Sequence, residues 1–278
     1  MERHEPYFGA GAPPPRRERR SVTPLQISIA VAVVVGAAAS AYFFWPREAP
    51  PPAPTGRMDL PAAPAPKVAQ APRHPMESEP AEQPLPALRE SDGPVAAALS
   101  LLIGLDAFGK MFLTDNLVGN IVATIDSLPH EVVSRRVNPL RPVPGLPATA
   151  GKDADLALAP ANAARYAPHM RLVEGVGTAK LVAFYRRHYP LFQQAYLELG
   201  YPNGYLNDRL VEVIDHLLAT PEPAGPVRLT QPKVLYEFAD PALEELSSGQ
   251  KMMLRIGKEN RERVKVKLRE IRAGVTAP

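Results

Sequence analysis

The most asymmetric run of side chains in this chain is its last one. Projected at 3.6 residues per turn, Lys251, Arg255, Lys258, Lys265, Arg269 and Arg272 fall on one side of a terminal helix, interrupted only by Glu262. Met253, Ile256, Val264, Leu268, Ile271 and Val275 fall on the other, and Gly257 among them permits close packing or a slight kink. Such a face is either the solvated side of a docked helix or a positive surface for phosphate-rich lipid, an anionic polymer or an acidic partner protein. It is the first candidate interaction surface. Tyr185, Tyr189, Phe192 and Tyr196 recur at spacings of four, three and four, with Tyr201 and Tyr205 beyond. Rings so spaced could stack on the sugars of an envelope glycan, yet the same spacing describes an amphipathic core stripe whose hydroxyls reach the rim. Pro190 breaks the register, which favours the core, and leaves Tyr185, Tyr189 and Tyr196 as the second candidate surface.

Residue types that carry catalysis are less well arranged. His130, His169, His188 and His216 show no metalloprotease pairing. Glu212 and His216 stand one turn apart and could supply two ligands, but no third is nominated. Asp208, Glu212 and Asp215 line the side of that helix opposite its apolar residues and read as a solvated face. No phosphate-binding glycine loop or nucleophile elbow is present. The absence of cysteine excludes disulfides, thiol nucleophiles, thiolate zinc sites and a lipid-modified cysteine. No catalytic, metal-ligating or cofactor-binding residue is therefore nominated, and no cofactor is expected.

The elements that must position these residues are helical. Pro94 opens a run with Val95, Leu99, Leu102 and Ile103 on one side, with Asp92 placed to cap it. Thr114 or Asp115 caps a second helix carrying Leu117, Ile121 and Ile125. Prolines between Pro139 and Asp155 predict a loop. Helical patterns follow at Asn162 to Glu174, Thr178 to His188 and Pro190 to Leu199, with Gly200 as a stop. Asn203 or Asn207 starts the cleanest helix, with Leu206, Leu210, Val213, Ile214 and Leu217 facing inward. Only Val234 to Phe238 reads as extended. Asp240 then caps a terminal pair, Pro241 to Leu246 and Ser248 to Arg272. The expected fold is an all-α bundle of about seven to eight short helices without internal repeats.

Upstream, the chain changes character. Leu25 to Trp45 is uncharged and mostly apolar, about the 20 residues a bilayer-spanning helix needs, and it follows Arg16, Arg17, Arg19 and Arg20. That asymmetry keeps residues 1–24 in the cytoplasm as a basic tail and exports everything after the span at 25–45. Ala39, Ser40 and Ala41 resemble a signal-peptidase site, but the stretch continues through Tyr42, Phe43, Phe44 and Trp45, which fits an uncleaved signal anchor. Ala32, Gly36 and Ser40 share one helix face and would allow weak pairing with a second copy. The chain's 34 prolines concentrate in residues 46–90, a Pro/Ala-rich disordered linker that would hold the domain at 91–273 off the bilayer. Residues 274–278 are expected to be a short disordered tail. Net charge is +3 with 32 bases against 29 acids, so the whole molecule is no polyanion binder, and an exported domain does not meet nucleic acid.

The stretch Asp115-Asn116-Leu117-Val118-Gly119-Asn120-Ile121-Val122-Ala123-Thr124-Ile125-Asp126-Ser127-Leu128-Pro129, with Tyr236-Glu237-Phe238-Ala239-Asp240-Pro241 and Leu243-Glu244-Glu245-Leu246, resembles a bacterial membrane-anchored family, domain of unknown function 3014. The resemblance spans roughly Pro94 to Arg272. It implies one transmembrane helix, a proline-rich spacer and a helical periplasmic domain in a Gram-negative inner membrane, and it brings no site residues. The expected function is a non-enzymatic interaction or scaffold module that meets an envelope protein or anionic polymer. The alternative is an envelope enzyme such as a glycan hydrolase, with Glu131, Glu174 or Glu198 as its buried carboxylate.

Overall fold

The computed structural model describes residues 71–77 and 84–277, and the expected membrane span with its small-residue face, Ala32, Gly36 and Ser40, lies outside them. Among the described residues no helix is long and apolar enough to cross a membrane.

The region from residue 84 onward is mostly helical. A 3-10 turn, Leu88–Glu90, leads into α1 (Asp92–Ile103), α2 (Leu105–Met111) and α3 (Leu117–Ser127). Asp92 does not cap its own helix. Its carboxylate instead accepts the N–H groups of Asn116 and Leu117, at 2.7 Å each, and so caps α3 from a neighbouring helix. Next come a 3-10 segment, Pro160–Tyr166, then α4 (Ala167–Gly175), α5 (Thr178–Glu198), α6 (Leu206–Leu218), the single turn α7 (Pro241–Glu244), α8 (Ser248–Arg255) and α9 (Lys258–Thr276). Among the described residues eight helices exceed one turn, in line with the all-α expectation. Asp240 caps α7 as its position predicts, accepting from Ala242 N at 2.9 Å.

Three expected boundaries are corrected. Pro190 does not end a helix: α5 runs through it for 21 residues. Proline inside a helix costs about 3 kcal/mol. Leu191, Phe192, Ala195 and Tyr196 beyond it share one core with Val95, Leu117 and Val122, and that burial outweighs the loss. The expected helix from Ser248 to Arg272 is two, because Gly257 turns the chain at φ +89° between α8 and α9. The tail expected after residue 273 is instead the last turn of α9, where Val275 is buried and Asn207 donates to its carbonyl.

The few strands are short. β1 (Thr149–Ala150), inside the segment expected as loop, pairs antiparallel with β2 (Ala157–Leu158) just beyond it. β3 (Leu229–Thr230) pairs with β4 (Glu237–Phe238), the only part of the expected extended run from Val234 that forms a strand. An isolated bridge between Ala157 and Arg228 joins the two ribbons.

The linker also contributes more than expected. Residues 71–77 lie on the domain: Met76 packs with Val182, Val211 and Val275, and Arg73 pairs with Asp208 and Glu212. Backbone N–H groups of Arg73 and His74 donate to Asp208, and Asn207 donates to His74 O. The acidic stripe on α6, expected to face solvent, is thus occupied by Arg73 and, at Asp215, by Arg272.

Candidate functional site

The basic face nominated from sequence is broken up, because the turn at Gly257 rotates α9 relative to α8. On α9 alone the inward stripe is Asn260, Arg261, Val264, Lys265, Leu268 and Val275, two of them cations. Lys265 is 4% exposed, and its ammonium donates to Thr220 O at 3.1 Å and Glu222 Oε1 at 3.0 Å. That hydrogen bond holds the Glu222 carboxyl below its usual range, with Arg261 and Lys258 adding positive field. Lys251 is paired with Glu244 at 2.5 Å, and Arg272 donates to both oxygens of Asp215. Arg255, Lys258 and Arg269 are the exposed members of the six with no ion pair to a described residue, and Arg255 lies 5.6 Å from the Phe238 ring centre.

The aromatic stripe belongs to the core. Tyr196 is buried and stacks on Tyr201, and Tyr185 and Tyr189 pack half-buried against the main apolar cluster. Burial raises the Tyr196 phenol to about 12. Glu212 and His216 do not converge: Glu212 meets Arg73 and Arg209, while His216 Nε2 lies 2.8 Å from Ser247 Oγ. Glu131, Glu174 and Glu198 are all exposed, and Glu174 is spent on Arg263, so the carboxylates named for the hydrolase alternative lack the burial it requires.

What the fold does build is a cleft of about 790 Å³ between the two ribbons, the Pro223–Pro226 loop, the Pro160–Tyr166 segment and the α8–α9 corner. Two buried asparagines hold its walls together. Asn162, 2% exposed, accepts from Ala148 N and donates to Arg255 O at 2.8 Å. Asn260 donates to Ala163 O at 3.1 Å and to Ile256 O at 2.9 Å. Gly257 sits against the same wall, where a Cβ would stand 3.0 Å from that of Ala163. Ala157, Leu158, Pro160 and Leu254 make part of the lining apolar, and Arg228, Arg255, Lys258 and Arg261 make it basic against Asp155 and Glu259. Arg228 is engaged by Asp155 at 3.2 Å.

Arg261 is the residue that sequence reasoning missed. Its side chain is 3% exposed, its Nε has no hydrogen-bond partner, and the Glu262 carboxylate stands 3.7 Å away, beyond hydrogen-bonding reach. The available signal was Gly257: a helix restarted after it puts Arg261 on the inward side with Val264 and Leu268.

The sequence model of the family described as "Protein of unknown function (DUF3014)" matches residues 117–272. The chain belongs to this family. All residues lining the cleft fall within the matched DUF3014 span, whereas a groove at Pro84, Leu85, Leu101 and Phe184 lies partly before it. No curated protein matches the chain, and no solved structure does.

Proposed function

We propose that this DUF3014 protein is anchored in the bacterial inner membrane by a single helix at Leu25 to Trp45 and carries its helical domain in the periplasm as a non-enzymatic interaction module. The cleft at the α8–α9 corner is its working surface, and its partner is an envelope protein or polymer bearing an anionic group. The observation that carries this reading is the cleft itself: a large concavity, part apolar and part basic, with a buried guanidinium whose Nε lacks a partner. Orientation rests on the four arginines before the span.

A photo-crosslinking side chain at Glu259, on the cleft rim, tests the working surface in intact cells. Adducts are expected there and not from the same group at Glu131, which lies outside the cleft lining. Adducts of equal yield at both positions would reject the cleft. A periplasm-active reporter fused after Arg57 is expected to be active, and activity of a cytoplasm-specific reporter at that position would reverse the topology.

A further inference from the structure

The corner where α8 meets α9 combines two features that converge on one kind of ligand. α9 is 19 residues long and starts without a side-chain cap. The first of its N–H groups to find a backbone acceptor is that of Arg261, on Gly257 O. Those of Lys258, Glu259 and Asn260 are therefore the free donors of a helix N-terminus, an arrangement suited to anions. Gly257, Lys258 and Glu259 line the cleft, so this helix end opens into it. Independently, Arg261 lines the same cleft with its side chain 3% exposed and its Nε unpartnered, so a largely desolvated guanidinium stands one turn into the helix with its Nε hydrogen bond unmade.

We propose that this corner is a phosphoryl-binding site, in which Arg261, Lys258 and the first-turn amides of α9 hold a phosphate monoester group whose apolar body lies along the Ala157, Leu158, Pro160 and Leu254 wall. The assignment rests on the reading of the cleft as the working surface and names the chemistry that it takes. A carboxylate has two oxygens to offer, fewer than this corner has donors, whereas a phosphoryl group has three and accepts an arginine fork and backbone N–H groups together. Charge agrees: Arg255, Lys258 and Arg261 face the cleft against Glu259, with Arg228 already held by Asp155 and Glu222, outside the lining, hydrogen-bonded to Lys265 while it feels Arg261 and Lys258. Glu262 lies outside the cleft lining, and at 3.7 Å it offsets part of the Arg261 charge without satisfying its Nε. A bare phosphate fills a small part of 790 Å³, so the remaining space and its apolar wall fit an organic substituent.

The test is calorimetric titration of the full-length chain in maltoside micelles, which contain no phosphorus, with inorganic phosphate, phenyl phosphate and benzoate. Saturable binding of phenyl phosphate is expected, tighter than inorganic phosphate if the ligand has an apolar body and equal to it if the ligand is free phosphate, with benzoate weaker than either. Arg261→Met is expected to lose at least tenfold in affinity, Arg261→Lys to lose less, and the exposed Lys258→Met several-fold. Lys251→Met, away from the cleft lining, is expected to bind as the parent does. Circular dichroism of each variant checks folding, and if Arg261→Met is misfolded, Lys258→Met decides. Absence of saturable phosphate binding, stronger binding of benzoate, or unchanged binding in folded Arg261→Met or Lys258→Met overturns the site. A phosphate site with no Glu259 crosslink would instead leave the site standing and remove the partner-docking reading.

Discussion

Lys265 and Arg261 stand one turn apart on the same side of α9, and both are almost entirely buried. Lys265 is satisfied: its ammonium reaches a backbone carbonyl and a carboxylate at normal hydrogen-bond distances. Arg261 has an orphaned Nε, and the carboxylates that feel its charge, Glu262 at 3.7 Å and Glu222, make no hydrogen bond with it. The same helix therefore treats two equal charges in opposite ways. A paired buried cation ties elements together, here α9 to the chain just after α6. One whose nearest carboxylate stands beyond hydrogen-bonding reach ties nothing together so firmly, and a ligand entering the cleft beside it would supply the missing partner.

The sharpest way to break this comparison is to remove each charge in turn. Lys265→Glu places a carboxylate in a buried position facing the half-exposed Glu222 and is expected to cost about 4 kcal/mol in urea unfolding. Arg261→Met keeps the stem volume and removes a poorly compensated charge, so its stability is expected to stay within about 1 kcal/mol of the parent or to rise. Equal losses in the two variants would show that Arg261 is structurally paired after all.

The corner that presents Arg261 can be stressed next. Gly257→Ala forces a side chain into φ +89° with its Cβ 3.0 Å from that of Ala163, and about 1–3 kcal/mol of destabilisation is expected. The loss should be accompanied by weaker ligand binding, because the turn sets the angle at which α9 opens into the cleft. An unchanged unfolding midpoint would mean that the corner relaxes freely.

Much of the scaffold was legible beforehand, and the reason is visible in α6. Leu206, Val213, Ile214 and Leu217 repeat at helical spacing and are buried as that spacing predicts. Local punctuation was less reliable. Pro190 stops helices in isolation but lies here on an exposed side of α5 while its neighbours pack inward. Gly257 in a helical pattern is compatible with close packing or a slight kink, whereas its positive φ makes a full break; a continuous projection across it puts Lys265 on the surface and assigns Arg261 to neither face. The asparagines that bind the cleft walls, Asn162 and Asn260, act across 93 and 97 residues of sequence, which no local pattern records.

Acid should distinguish the paired cation from its neighbour again. Lys265 depresses the Glu222 pKa in the folded state, so the pair's stabilisation is present above the unfolded carboxylate pKa, about 4.3, and is lost as pH falls through the lower folded value. Lys265→Met is expected to flatten this part of the stability profile while Arg261→Met leaves most of it. An identical acid slope in Lys265→Met would show that the pair does not couple to folding.

The smallest effects belong to the strap at residues 71–77, where the contrast between buried and exposed partners recurs in milder form. Asn207 is fully buried and donates to both His74 O and Val275 O, so Asn207→Ala, which strands two carbonyls, is expected to cost about 1 kcal/mol and to increase protease cleavage near Met76. Arg73 pairs with Asp208 and Glu212 from a side chain that is 63% exposed, where solvent and salt screen the attraction. Arg73→Ala is therefore expected to leave both the urea midpoint and the cleavage rate unchanged. If that variant alone released the strap, the ion pairs would be what fastens the linker, and the ranking of buried hydrogen bonds above exposed charge in this domain would have to be reversed.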